Sequence, residues 1–184
     1  LLQSGYKLEM KDLFKYPTVE MLSPRLQLIS KMADQGEVVG QVELTPIQRW
    51  FFEQMPVEPH HFNQAYMLYR KQGFTESALR EVMQKLVSHH DALRMVFKET
   101  ESGFEARNRG VDEGDLYTLE VIDLKGNTDC SKAIEKKATE IQSSINLNEG
   151  PLLKLGLFHC SDGDHLLMVI HHLVVDGISW RILF

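Results

Sequence analysis

The stretch HLLMVIHHLVVDGISWRILF, residues 165–184, decides how this chain is read. An apolar run from Leu166 to Ile170 leads into two adjacent histidines, His171 and His172. Leu173, Val174 and Val175 follow, then Asp176-Gly177, then an amphipathic segment. A short apolar run bounded by turn residues predicts a buried strand, a turn and the start of a helix. Three chemistries fit such a place. Two histidines and an aspartate are potential zinc ligands. Neighbouring residues on an extended segment point to opposite faces, however, so His171 and His172 do not readily meet one ion, and no second cluster completes a metal site. A plain turn is the second reading: Asp-Gly supplies turn chemistry, and a histidine is satisfied by backbone hydrogen bonds. The third uses one histidine as a general acid–base, because the ordinary imidazole pKa lies near neutral pH. There Asp176 would orient the loop by pairing with a buried arginine. Gly177 would allow close backbone approach at a helix N-terminus that favours developing negative charge. Residue chemistry alone leaves the turn and acid–base readings both open.

Working outward from this motif, LLKLGLFHC (152–160) predicts a hairpin partner for HLLMVIH (165–171), joined through Ser161-Asp162-Gly163-Asp164. Asp-Gly favours a tight hairpin. Asn148-Glu149-Gly150-Pro151 predicts a turn, and the segment from Ser131 to Ile145 an amphipathic helix with Ile134, Ala138, Ile141 and Ile145 on one face. YTLEVIDL (117–124) predicts a strand, and LRMVFKE with FEARNRG a hairpin split by Thr100–Gly103. Thr75 is expected to cap a helix with Ala78, Leu79, Val82, Met83, Leu86 and Val87 on its apolar face. FNQAYMLYR (62–70) predicts a strand, and MPVEPHH (55–61) a loop. Thr45-Pro46-Ile47-Gln48 has the pattern of a capping box with proline at the first helical position. That helix carries Ile47, Trp50, Phe51 and Phe52, all expected to be buried. Residues 33–42 are expected to be a linker. Before them Gly5 predicts a helix C-cap, Leu8 to Leu13 a short helical turn, Thr18 a second cap and Ser23-Pro24 a third helix start. Strands and helices interleave with antiparallel hairpins, so the expected class is α/β, a mixed sheet with packed helices, plus a short helical N-terminal remnant.

The 184 residues are 43% hydrophobic and 25% charged, enough to bury a core, and the net charge is −6. An acidic balance argues against nucleic acid as a partner, since phosphate neutralisation needs a basic surface. No apolar run reaches the ~18 residues of a membrane span, and LLQSGYKLEM has no secretory pattern. Cys130 and Cys160 lack CxxC spacing and are expected as free thiols in a reducing cytoplasm. The lack of an initiating Met, and a final helix without a stop signal, lead us to expect that both ends are cut.

HHLVVDG fits HHxxxDG, and on this motif the chain resembles the condensation-domain superfamily of nonribosomal peptide synthetases. VELTPIQRWFFEQ with HHFNQAYML resembles the opening motif of the epimerization subtype, and SHHDALRMVF the superfamily pattern RHExLRTxF. DGISWRIL is likewise typical of epimerization domains. The resemblance spans roughly residues 40–184, while SGYKLEMKDLFKYPTVEML resembles the last helices of a peptidyl carrier domain. It implies residues 1–32 as the end of a carrier domain and 43–184 as the N-terminal lobe of a chloramphenicol acetyltransferase-like domain. It implies His172 as the proton-transfer residue, with His171, Asp176 and Gly177 supporting the motif. The implied reaction is epimerization of a carrier-bound aminoacyl or peptidyl thioester, with condensation or non-catalytic carrier docking as alternatives. A stand-alone acyltransferase using coenzyme A is disfavoured by the carrier-like front piece. The implied cofactor is 4'-phosphopantetheine on the carrier domain, whose GGDS-type attachment serine is not in this sequence. The implied partners are that carrier domain, a C-terminal lobe supplying a glutamate, and neighbouring synthetase modules. His89 and His90 are expected to be structural, and His60 and His61 to lie in a surface loop.

Overall fold

The structure is a computed structural model that describes residues 4–28, 36–54, 56–101 and 103–184. The chain divides into two units, Leu1–Gly36 and Glu37–Phe184. In the first, Gly5 at φ 76° precedes strand β1 (Tyr6–Lys7), which pairs with β2 (Gln27–Leu28). Between them lie helices α1 (Met10–Lys15) and α2 (Val19–Leu22). Thr18 caps α2 as expected, its hydroxyl accepting from the Met21 amide at 3.3 Å. Ser23 does not start a separate α-helix. It continues directly from α2 into a 3-10 turn, Ser23–Arg25, because the backbone there is already helical.

Of the expected linker, residues 33–35 lie outside the described residues, as do 1–3 and 29–32 of the expected carrier remnant. Its second half corrects the sequence reading. Gly40–Val42 is strand β3, because an antiparallel partner at Ala106–Asn108 takes up its backbone groups. Helix α3 (Pro46–Glu53) then starts on the capping box, with Thr45 and Gln48 bonding each other's backbone. Strand β4 (Asn63–Arg70), helix α4 (Glu76–His89), the hairpin β5 (Met95–Thr100) and β6 (Gly103–Asn108), and strand β7 (Thr118–Asp123) follow. Thr75 stands at the N-cap of α4 without a side-chain capping bond. Helix α5 (Cys130–Ser143), the hairpin β8 (Leu153–Cys160) and β9 (Gly163–His171), and helix α6 (Gly177–Leu183) complete the chain.

Two sheets result, β3-β6-β5 and β4-β9-β8-β7. Strands β7 and β8 run parallel with α5 as their crossover; every other pairing in these sheets is antiparallel. Strand β9 is internal. Its odd positions Leu167 and Val169 enter a core with Phe51, Phe52, Phe97, Ile141 and Phe158. Its even positions Leu166, Met168 and Ile170 enter a second core with Met83, Val87, Leu155 and Trp180. Alternate side chains thus bury both faces of one strand, which is why it reads as a continuous apolar run.

Two expectations fail here. Ile47 and Trp50 are 67% and 54% exposed. The buried stripe of α3 is Gln48, Phe51 and Phe52, at i, i+3 and i+4, and a helix of 8 residues can turn only one such stripe inward. Cys130 and Cys160 are joined as a disulfide rather than free. The crossover brings the first residue of α5 beside the last residue of β8, with Cα atoms 6.8 Å apart, within bridging reach. No helix among the described residues is long and apolar enough to cross a membrane.

Gly156 marks where α5 presses closest on β8. A Cβ there would lie 2.7 Å from Ile141 Cδ1 and 3.0 Å from the Phe158 ring. Gly156→Ala is expected to cost about 1–3 kcal/mol in urea unfolding. Adding Ile141→Val, which removes that Cδ1, is expected to return part of the loss; strictly additive effects would show that the contact does not govern the packing.

Candidate active site

The sheet hands its geometry directly to the two histidines. At the end of β9, His171 lies opposite Asn63 of β4, and its amide donates to Leu152 O at 3.0 Å. The His172 amide donates to Phe62 O at 2.8 Å. The backbone is therefore held from both sides as the strand ends, and alternation turns the two rings apart.

His171 points into the core and has no exposed surface. Its Nε2 lies 2.8 Å from Pro59 O, which can only accept, so Nε2 carries the proton. Its Nδ1 accepts from the Leu173 amide at 3.2 Å. Phe51 and Phe62 present their rings edge-on to it. Burial, reinforced by neighbouring His60 and His172 and only partly opposed by the Pro59 carbonyl, pushes its pKa down to about 4. Sealed from solvent, with Nε2–H on a carbonyl and Nδ1 on an amide, this ring is held in the core as part of the packing.

His172 has the opposite arrangement. Its Nδ1 lies 2.8 Å from Val175 O, so this nitrogen carries the proton. Its Nε2 faces the side-chain nitrogen of Gln64 at 3.1 Å. The ring is half-buried and stacks on Phe62 at 5.0 Å. A neutral imidazole with a basic Nε2 at a partly open position can take up a proton. The divergent rings also keep the pair from sharing an ion, and among the described residues no group of three or more His, Cys, Asp or Glu side chains is placed to hold a metal.

Asp176 departs from its expected role. Its carboxylate has no ion pair among the described residues; it caps α6, with Oδ1 accepting from the Ile178 amide at 3.0 Å and from the Ser179 amide and hydroxyl at 2.7 Å each. Those bonds from Ser179 hold the carboxyl below the usual carboxylate range. The buried arginine is Arg94, and its guanidinium is already occupied by Asp91, Glu37 and the carbonyls of Val87, Ser88 and Arg109. At Gly177 the place a Cβ would take is open, with nothing within 4 Å.

His60 and His61 form a short 3-10 turn, Pro59–His61, rather than a loose loop, and His60 Nδ1 accepts from the Leu147 amide at 3.0 Å. His89 and His90 end α4, where the His90 amide donates to Leu86 O. Three residues that sequence reasoning passes over gather around His172. Gln48, recognised only as a cap, sends its amide nitrogen to Leu173 O at 3.0 Å and so braces the histidine loop against α3. Gln64 and Trp180 stand out in neither the strand nor the helix pattern, yet they bond each other at 2.7 Å beside His172. A tryptophan in an apolar stripe signals such a partner, because a buried indole N–H needs an acceptor.

Comparison with known proteins places this geometry. The family model for the condensation domain matches residues 38–184. A mycosubtilin synthase polypeptide of Bacillus subtilis is 57% identical over 183 residues, covering 100% of this chain and 7% of that protein. The crystal structure of the epimerization domain from the third module of tyrocidine synthetase B has a TM-score of 0.80 at 48% identity, covering 83% of this chain and 34% of that one. The starter condensation domain of rhizomide synthetase has a TM-score of 0.61 at 19% identity, covering 80% of this chain and 35% of that one, a likeness of fold.

The buried His171 generates a pH test. Its folded pKa of about 4 lies below the ordinary 6.5, so between these values the unfolded chain binds the proton more readily. The associated stability is fully present above about pH 6.5 and is lost as pH falls toward about 4, a change on the order of 3 kcal/mol. Urea unfolding from pH 7 to 4.5 is expected to show this decline, and His171→Asn to flatten it. An equally steep decline in the variant would remove His171 as its source.

Proposed function

This chain belongs to the condensation-domain family of nonribosomal peptide synthetases, and we propose that it forms the N-terminal lobe of an epimerization domain in which His172 transfers the α-proton. The mixed sheets and packed helices are the chloramphenicol acetyltransferase-like fold of that family. The chain spans 7% of the mycosubtilin synthase polypeptide it matches and 34% of the solved tyrocidine synthetase epimerization domain. The rest of the domain is taken to supply the opposing acid. Residues 1–32 are read as the end of a peptidyl carrier domain, and the lobe is taken to include β3, which joins its sheet from Gly40 onward.

The substrate is an aminoacyl or peptidyl thioester, delivered on the 4'-phosphopantetheine arm of a carrier domain. The lobe meets that arm as part of its substrate; the 184 residues contain no GGDS-type attachment serine. A thioester acidifies its Cα–H by delocalising charge into an enolate. His172 Nε2 takes that proton and becomes imidazolium. A group on the opposite face returns a proton to Cα, and the carbonyl re-forms with inverted configuration. Either group serves as base or acid, according to the direction of reaction. The observation that carries the reading is the state of His172: Nδ1–H is bound to Val175 O, which leaves Nε2 free of a proton on a half-buried ring. His171 and Gly177 shape the motif, and Asp176 supports it by starting α6. The 48% identity to an epimerization domain favours this activity over condensation. The proposed setting is a cytoplasmic synthetase with neighbouring modules as partners.

The intact module with a loaded carrier, in deuterated water, tests the proposal. Deuterium is expected at Cα of the bound residue, with a D-configured product. His172→Ala is expected to slow exchange by about 10²–10⁴-fold, the usual worth of positioned acid–base catalysis. The 184-residue chain alone is expected to give no exchange. Exchange by His172→Ala at the wild-type rate would overturn the assignment. A wild-type product that keeps the L configuration, with peptide-bond formation lost in the variant, would assign condensation.

A further inference from the structure

The hydrogen bonds around His172 admit one arrangement of protons. Trp180 is 3% exposed, and its indole Nε1–H, which can only donate, lies 2.7 Å from Gln64 Oε1. The Gln64 amide is thereby oriented, and its nitrogen, also only a donor, lies 3.1 Å from His172 Nε2. That ring nitrogen must accept. On the other side Val175 O must receive a proton, which Nδ1 provides at 2.8 Å. Four groups from β4, the β9–α6 loop and α6 thus form one directed chain, Trp180 to Gln64 to His172 to Val175.

We propose that Gln64 and Trp180 are positioning residues that hold His172 as a neutral base with its lone pair at Nε2. This rests on the reading of His172 as the proton-transfer residue. A protonated Nε2 would face the donor hydrogens of the Gln64 amide. Relief would require the amide to turn its oxygen toward the ring, and Trp180 holds that oxygen. The indole packs in a cluster with Tyr66 at 4.6 Å and Phe184 at 5.6 Å, ring centroid to ring centroid. The Gln64 amide hydrogen occupies the lone pair that a substrate proton takes, so substrate entry displaces it. Asp176 enters through the same chain: it caps the helix that carries Trp180.

The test is nitrogen NMR of the 15N-histidine-labelled chain, whose eight histidines include one assigned to position 172 by loss of its signals in His172→Asn. At a pH where the ring is neutral, His172 is expected to show a protonated Nδ1 and an unprotonated Nε2. Gln64→Glu keeps the shape but replaces the donor with an acceptor. Both His172 nitrogens are then expected to be protonated at the same pH, with the other seven histidine signals unmoved. In the intact module this variant is expected to lose at least ~10-fold in α-proton exchange, toward the ~10²–10⁴-fold of losing the base. Trp180→Phe, which frees the amide to turn, is expected to give mixed protonation at Nε2 and a smaller loss. A wild-type Nε2 that carries the proton overturns the proposal, as do unchanged His172 signals in both variants. Exchange that survives His172→Ala removes the functional reading instead, and the NMR result distinguishes the two failures.

Discussion

A strand buried on both faces cannot slip by one residue without driving its whole apolar set into the wrong core. Strand β9 is such a strand, with Leu167 and Val169 on one side and Leu166, Met168 and Ile170 on the other. Its register with β4 and β8 is therefore settled by packing far from any chemistry. The site inherits that register. His171 falls on the side where Phe51 and Phe62 close over it; His172 falls on the side reached by Gln64. Two chemically identical side chains acquire opposite tautomers because one carbonyl meets Nε2 in the first and another meets Nδ1 in the second. The two histidines thus stand side by side, distinguished by the backbone carbonyl that each ring meets.

The helices contribute through their ends more than through their faces. Gln48 completes the cap of α3 with its side-chain oxygen and holds the Leu173 carbonyl with its side-chain nitrogen. Asp176 meets two amides and a hydroxyl at the start of α6. Both caps satisfy backbone groups that a helix terminus leaves unpaired, and both border the loop that follows His172. Local stability and site geometry are thus served by the same side chains.

Most of the architecture was legible in the sequence because hydrophobic period is a local signal. The hairpins at 93–110 and 152–171, the helices at Thr45 and at 131–145, and the strand at 62–70 all formed near their expected bounds. What periodicity could not convey was partnership across the fold. Gly40–Val42 looked like a linker because its partner lies in β6. The cysteines looked independent because a crossover, not sequence spacing, brings them together. An arginine partner for Asp176 is not what the fold supplies, because the amides at the start of its own helix are the donors within reach. For the site, the motif identified the two histidines, and opposite faces were foreseeable from strand alternation. Gln64 and Trp180 were not foreseeable as a pair: one lies on a strand, the other on a helix, and only the closed sheet sets them 2.7 Å apart.

That closure has a kinetic side. The bonds Gln64–His172, Pro59–His171, Trp180–Gln64 and Gln48–Leu173 join residues 108, 112, 116 and 125 positions apart. Contacts of such separation carry the full entropy of loop closure and form after local structure has accumulated. The His172–Val175 and His171–Leu173 bonds are local. During synthesis the segment with Gln48, Pro59 and Gln64 emerges first and waits for the segment with the histidines. The setting of His172 is therefore among the last features of the lobe to assemble, and a chain that has not finished folding has not yet fixed that ring's tautomer.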